Sequence, residues 1–324
     1  MEKSKMPVLG IDLGGTKISA ALVQNHRIVG ETTRVPTPKG ADKIIEALLA
    51  LAEQFKKDKL ILGLGIATAG IVNPDSGQVV GSTGNLPGWE GTALKKILQS
   101  KTALRTHVEN DANASAYGEV CAVPELAKKT AVVAVTLGTG IGVGIIIDGK
   151  VYRGAHFAAG EAGHIKVSMD NRRRCTCGLW DCWEAYGAGR GLVATAWEML
   201  ENVTPQQCPL AAKRDNLKTQ DILDAADGGD VLAQSAVHKW HEHVANGLVT
   251  LCHTLDPDCF VITGGMSKFV DFDLLRELVA DRTLPRVSER LEIHPSVLQE
   301  AGGMVGAAEL VLQQALQDEQ VPAI

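Results

Sequence analysis

The sequence predicts an α/β protein that uses one glycine-turned β-hairpin twice. Three observations carry this expectation. Val8 to Leu13 is a short apolar run ending in Gly14-Gly15-Thr16-Lys17, and a second run, Ile18 to Val23, follows at once. The arrangement returns about 125 residues later as Ala131 to Leu137, Gly138-Thr139-Gly140 and Ile141 to Ile147. Segments with apolar residues at helical spacing lie between and after these hairpins. Strand, glycine turn and returning strand make a hairpin rather than the strand-helix entry of a dinucleotide site. Its recurrence points to an internal duplication at the level of the fold.

Taken in order, Arg27 to Gly30 is a candidate third strand. Residues 41–57 read as a helix with Ile44, Ile45, Leu48, Leu49, Ala52 and Phe55 recurring on one face. Leu60 to Ile66 and Leu104 to Val108 are strand-like, and a helix starts at about Ala112. Asp148-Gly149 is a strong two-residue turn into Lys150-Val151-Tyr152. Residues 231–256 align Val237, Trp240, Val244, Leu248, Leu251 and Leu255 before Asp256-Pro257 ends the helix. Cys259 to Ile262 then leads into Gly264-Gly265, and a last helix covers about Val305 to Leu316. Residues 202–218, with two prolines, are expected as a surface loop.

The 324 residues are 45% hydrophobic and 22% charged, with a net charge of −6. That is ordinary for a soluble chain long enough for two domains. The acidic balance argues against nucleic acid and anionic membrane as partners. No stretch reaches the roughly 18 apolar residues of a membrane span, and no apolar segment follows the N-terminal charges. Of the seven Cys, Cys121, Cys208, Cys252 and Cys259 are scattered, as reduced thiols of a cytoplasmic protein would be.

The other three cysteines are clustered. His164 in Glu161-Ala162-Gly163-His164, with Cys175, Cys177 and Cys182, is a set that suits tetrahedral zinc. Three thiolates and an imidazole leave no open position, so a structural ion is expected. Glu161 and Glu184 bracket the cluster without being needed as ligands. The glycine turns could cradle a phosphate with backbone N–H groups, although neither matches the Gly-x4-Gly-Lys pattern of a nucleotide P-loop. Asp111 is expected as an N-cap, or as a carboxylate at a strand end that accepts a hydroxyl proton. His238, His241 and His243 read as a polar helix edge with His241 partly packed. Trp89 could stack on a sugar ring or anchor a turn.

In order along the chain stand Asp12-Leu-Gly-Gly-Thr-Lys, Asn85-Leu-Pro-Gly-Trp, Glu109-Asn-Asp-Ala-Asn, Leu137-Gly-Thr-Gly-Ile-Gly, Glu161-Ala-Gly-His, the Cys-x-Cys-Gly-x-x-x-Cys-x-Glu run and Thr263-Gly-Gly. This series resembles the ROK sugar kinases of the actin-like ATPase superfamily over nearly the whole chain. The resemblance implies a two-domain, ribonuclease H-like actin fold with an interdomain cleft. Residues 1–117 with the C-terminal helix 304–324 would form the smaller domain, and 118–303 the larger one carrying the zinc loop.

The resemblance also implies roles. Asp111 corresponds to the catalytic base. Gly70, Asn85, Asn110, Asp111, Glu161, His164 and Glu184 correspond to sugar-binding positions, and His164, Cys175, Cys177 and Cys182 to zinc ligands. Asp12, Gly14, Gly15, Thr16, Lys17, Gly138, Thr139, Gly264 and Gly265 match the ATP side, with Asp12 near Mg²⁺. The expected reaction is ATP-dependent phosphorylation of glucose at the 6-hydroxyl; mannose, fructose and N-acylmannosamine kinases share these polar residues. A cytoplasmic homo-oligomer, dimer or tetramer, is expected. Repressors of the family carry an N-terminal DNA-binding segment, and only seven residues precede the first strand here. Asp181 stands where the family usually has Gly, and Asn171-Arg172-Arg173-Arg174 has no family role.

Overall fold

The computed structural model describes residues 5–57, 60–81 and 86–320. The chain begins with β1 (Val8–Leu13), β2 (Lys17–Gln24), β3 (Arg27–Pro36), α1 (Ala41–Lys56), β4 (Gly63–Thr68), a two-stranded ribbon of β5 (Ile71–Asn73) and β6 (Gln78–Gly81), α2 (Leu94–Thr102), β7 (Arg105–Asn110) and α3 (Asp111–Ala122). It continues through β8 (Ala131–Leu137), β9 (Ile141–Ile147), β10 (Lys150–Val151), α4 (Glu184–Gly187), α5 (Gly189–Met199), α6 (Thr219–Asp227), α7 (Val231–Leu255), β11 (Cys259–Thr263), α8 (Phe272–Ala280), α9 (Pro285–Ser288), β12 (Glu292–Pro295) and α10 (Gly302–Gln320).

One five-stranded sheet runs β3-β2-β1-β4-β7 and the other β10-β9-β8-β11-β12. Each therefore places its strands in the order third, second, first, fourth, fifth. The duplication inferred from the glycine turns extends to the whole sheet. In the first sheet β1 pairs antiparallel with β2 and parallel with β4, and β4 pairs parallel with β7.

β1, β2, β4 and β7 of the first sheet are mostly buried, which fits their apolar runs, whereas the edge strand β3 is half-buried to exposed and largely polar. Ile44, Leu48, Leu51 and Ala52 of α1 join Leu9, Ile11, Leu64 and Ile66 in one core cluster. Val305, Ala308 and Val311 of α10 form another with Val8 and Val23. α10 lies directly on the backbone of the sheet: a Cβ at Gly10 would collide with the Met304 carbonyl, and one at Gly65 with that of Ala307.

By compactness the chain divides into one unit of residues 1–134, 143–160 and 296–324 and a second of residues 135–142 and 161–295. Among the described residues, no helix is long and apolar enough to cross a membrane.

The boundaries differ from expectation in instructive places. β3 continues to Pro36, and β4 starts at Gly63 because Leu60 is 71% exposed and contributes nothing to the sheet. The turn at Asp148-Gly149 has both φ values positive, 49° and 69°, as a two-residue hairpin requires. Within 202–218, Pro209–Asn216 forms 3₁₀ turns and Cys208, Leu210 and Leu217 are buried, so this segment is anchored rather than simply superficial.

Candidate active site

In the first unit the site is built where β7 passes into α3. Asn110, in extended conformation, is the N-cap: its Oδ1 accepts from the N–H groups of Ala112 at 2.9 Å and Asn113 at 3.1 Å. Its Nδ2 donates to the Gly70 carbonyl at 3.0 Å. Capping thus falls to Asn110 and not to Asp111. The Asp111 carboxylate keeps a contact with the Ala112 N–H, at 2.9 Å, and burial pushes its proton affinity above the ordinary aspartate range. Asp12, near the end of β1, is pushed up to about 7 by burial and by the charge of Asp111. Two neighbouring buried carboxylates, one raised by the charge of the other, are a donor set suited to a hard divalent cation.

Glu109 is a residue whose part sequence reasoning missed. It is 1% exposed, and its Oε1 accepts from the Asn110 N–H at 3.0 Å and Asn113 Nδ2 at 3.2 Å. Its Oε2 accepts from Arg153 Nε at 2.9 Å and Nη2 at 2.5 Å. Burial alone would raise this carboxyl, but the neighbouring His107 and the Arg153 guanidinium outweigh it and hold the group below its usual value. Glu109 was in view in Glu-Asn-Asp-Ala-Asn; its partner, 44 residues on, carries no sequence signal.

The first glycine turn is closed by the Gly14 N–H on the Lys17 carbonyl, at 3.1 Å. Thr37 pins it from outside: its N–H donates to the Thr16 carbonyl at 3.0 Å and its hydroxyl to that of Gly14 at 2.7 Å. Gly15 and Thr16 are exposed. The Lys17 ammonium pairs with Glu300 at 2.9 Å on the surface. Asn85 lies outside the described residues. Trp89 is fully buried and donates to the Thr68 hydroxyl at 3.0 Å, so it anchors its turn from the core.

In the second unit a single 3₁₀ turn, Glu161–His164, presents both named side chains. His164 turns Nδ1 toward Cys175 Sγ, 3.8 Å away, and Nε2 toward Glu161, 3.7 Å away. Cys177 and Cys182 have their sulfurs 3.7 Å apart, and all four donor atoms lie within 4.8 Å of one another. Zinc–sulfur bonds of about 2.3 Å in a tetrahedron place sulfurs about 3.8 Å apart, so the donor set fits zinc.

Glu184 is 8% exposed and already engaged. Its Oε2 accepts from the Ile141 N–H at 3.0 Å, and its Oε1 from the Thr176 hydroxyl at 2.9 Å and Arg190 Nη2 at 2.5 Å. Arg190, absent from the sequence expectations, also lies 3.4 Å from Cys175 Sγ. A guanidinium there would offset the excess negative charge of three thiolates around a divalent ion.

These features can be compared with known proteins. A model of the ROK family matches residues 8–314. The chain belongs to the ROK family. A glucokinase of Streptomyces coelicolor is 33% identical over 314 residues, covering 93% of this chain and 96% of that one. An N-acetyl-D-glucosamine kinase of Citrobacter koseri is 32% identical, covering 94% and 98% respectively. The crystal structure of a ROK family glucokinase from Streptomyces griseus in complex with glucose and AMPPNP matches with a TM-score of 0.78 at 32% identity, covering 95% of this chain and 99% of that one. The repeated strand order is thus that of the two-domain actin-like ATPase fold.

Two departures from the usual ROK pattern explain each other. Asp181 replaces the usual glycine and adopts a left-handed φ of 55°, which Asp tolerates better than most residues. Its carboxylate accepts from three successive N–H groups, Asn171 at 2.6 Å, Arg172 at 3.1 Å and Arg173 at 3.0 Å, and from the Tyr186 hydroxyl at 2.7 Å. The basic insert is therefore folded back onto the residue before the last cysteine. Arg173 then forms two 2.8 Å bonds with Glu198 and stacks on Tyr186, and is not a phosphate reader.

The remaining glycines that the resemblance assigns to the ATP side separate by what surrounds them. A Cβ at Gly264, where φ is +88°, would meet the Leu137 carbonyl, so this residue permits close packing. Side chains at Gly138 or Gly265 would meet nothing within 4 Å. Gly138 accepts from the Gly189 N–H at 3.0 Å, which seats the turn on the start of α5, and Thr139 is exposed. His241 is buried between the Val237 carbonyl and the Asp271 N–H, packed more deeply than the partly packed residue expected on a polar helix edge.

Proposed function

We propose that glucose is the hexose this ATP-dependent hexokinase phosphorylates, at the 6-hydroxyl, with Asp111 as general base. The observation that carries the reading is the division of labour at β7–α3. Asn110 takes the cap, and Asp111 is left with raised proton affinity at the mouth of the helix. A base with its pKa drawn toward neutrality is better matched to deprotonating a hydroxyl as it attacks. The kinships to a Streptomyces coelicolor glucokinase and to a glucose-bound Streptomyces griseus structure support the substrate.

In this reading Asn110, the Gly70 loop, Glu161, His164 and Glu184 orient the sugar through hydroxyl contacts, which discriminate far better than an apolar pocket. Zinc held by His164, Cys175, Cys177 and Cys182 would supply a rigid tetrahedral anchor. His164 then has one nitrogen for the ion and the other for the substrate side. Mg²⁺ beside Asp12 would supply charge neutralisation for the triphosphate. The open backbone at Gly15, Gly138 and Gly265 supports the phosphates' approach, and phosphoryl transfer depends chiefly on such positioning.

A coupled assay of ADP release tests this across glucose, mannose, fructose, N-acetylmannosamine and N-acetylglucosamine. Glucose should give the highest kcat/KM. A higher value for N-acetylglucosamine would move the assignment to the activity named for the Citrobacter koseri relative.

A further inference from the structure

Outside the site described above, three side chains capable of binding metal converge within the first unit. His26 sits at the β2–β3 turn, Cys121 near the end of α3, and Glu309 in the middle of α10. One ligand atom from each lies within 4.8 Å of the others. His26 Nδ1 is 3.1 Å from Glu309 Oε1, and Glu309 is 6% exposed.

The fold brings these residues together by definite means. Gly118 and Gly306 let α3 and α10 approach backbone to backbone, since a Cβ at Gly118 would lie 2.7 Å from the Gly302 carbonyl and one at Gly306 would strike that of Ala114. That approach sets Cys121 against Glu309. The third group arrives from the hairpin. Gln24 pairs with Arg27, leaving Asn25 and His26 as a two-residue turn with φ of 53° and 61°. Glycine is the favoured second residue of such a turn, and the chain places an imidazole there, over a buried carboxylate.

A buried glutamate is ordinarily matched by Lys or Arg. Among the described residues, the ion pair recorded for Glu309 is with His26.

We propose that His26, Cys121 and Glu309 form a second site for a borderline divalent cation, zinc by preference, separate from the cysteine-rich loop. The mixed imidazole, thiolate and carboxylate set is suited to zinc and too soft for Mg²⁺ or Ca²⁺. Ligands around one zinc ion stand about 3.3–3.8 Å apart. His26 Nδ1 and Glu309 Oε1, 3.1 Å apart, already stand close to that spacing, and half-exposed His26 has room to adjust around an ion. Three protein ligands leave a fourth position for water. Cys121 lies ten residues along α3 from Asp111, about 15 Å of helix, so the ion is remote from the proposed base. Its effect would be to tie the β2–β3 hairpin to the α3–α10 pair.

The test is zinc content per chain after equilibrium dialysis of the full-length protein against micromolar zinc, for wild type, Cys121→Ser and His26→Gly. The first variant is nearly isosteric, and the second suits a left-handed turn, so loss of folding does not confuse the result; thermal melts in chelator check this. Each variant should bind one equivalent less than wild type, with kcat for the hexose unchanged. That difference does not depend on how many ions the cysteine-rich loop takes, nor on which sugar is the substrate. Equal zinc content in all three proteins would overturn the proposal and leave His26–Glu309 as an ion pair only.

Discussion

Asp111 and Glu184 are both carboxylates that the sequence assigns to the substrate, yet their surroundings differ sharply. Asp111 is relieved of capping by Asn110, and burial raises its proton affinity. Glu184 is enclosed by donors: the Ile141 N–H, the Thr176 hydroxyl and the Arg190 guanidinium. An acid raised by burial is prepared to take a proton, whereas an acid ringed by charged and neutral donors is prepared to hold a shape. The same contrast runs through the two glycine-turn sheets. Buried acids with raised proton affinity gather at strand ends of the first, and charges are compensated around the loop that adjoins the second.

The strongest way to break the contrast is Asp111→Asn. It should lower kcat by at least about 10²-fold and leave hexose binding nearly intact, measured by turnover and by equilibrium titration. In the wild type the base must be deprotonated, so rate is lost as pH falls through its pKa. Because that pKa is raised, the acid limb of kcat/KM should lie above the ordinary aspartate range. Near-normal turnover of the variant would remove Asp111 from the chemistry.

Stability offers the next test. Arg153→Ala leaves the Glu109 carboxylate buried without its guanidinium, and breaking such a pair typically costs about 3–5 kcal/mol. The folded pKa of Glu109 is depressed, so its contribution is complete above the unfolded value near 4.5 and is lost as pH falls through the lower folded value. Denaturation of wild type and variant from about pH 3 to 7 should show their difference shrinking at the acid end. A constant difference would mean that Arg153 acts through packing alone.

If the loop holds zinc as proposed, Cys175→Ala should release it and raise the hexose KM more than the ATP KM, because such an ion would fix His164 and hold Thr176 and Glu184 in register. Metal analysis with both KM values decides it; equal effects on the two substrates would reduce the loop to general scaffolding. Glu184→Gln is subtler. Both oxygens accept hydrogen bonds, so an amide must turn its NH₂ toward a donor, at about 1–3 kcal/mol. The hexose KM should rise about tenfold, and an unchanged value would take Glu184 out of the sugar site.

Much of this was legible in the chain because it is local. The hairpin turns, the zinc spacing and the 231–256 helix each depend on residues a few positions apart, and periodicity or turn chemistry reveals them. What stayed hidden depends on distance. Glu109 finds Arg153, Glu184 finds Arg190 and Ile141, and Asp181 gathers the N–H groups of the basic insert. Local propensity left Asp111 as either a cap or a proton acceptor; Asn110, one residue earlier and equally suited, holds the cap. That one-residue shift frees Asp111 from the capping role, and local propensity is too coarse to resolve it.

The smallest expected effect separates the two kinds of glycine in the second turn. Gly138 has no left-handed φ, and a methyl there would meet nothing within 4 Å. Gly138→Ala should therefore fold normally and raise the ATP KM a few-fold by crowding the phosphates, with the hexose KM unchanged. A methyl at Gly140 would instead strike the Glu184 carboxylate, and Gly140→Ala should disturb the hexose KM first. If both variants affected ATP alone, Glu184 would be insulated from the turn despite touching it, and the contrast between prepared base and shaped wall would need a different boundary.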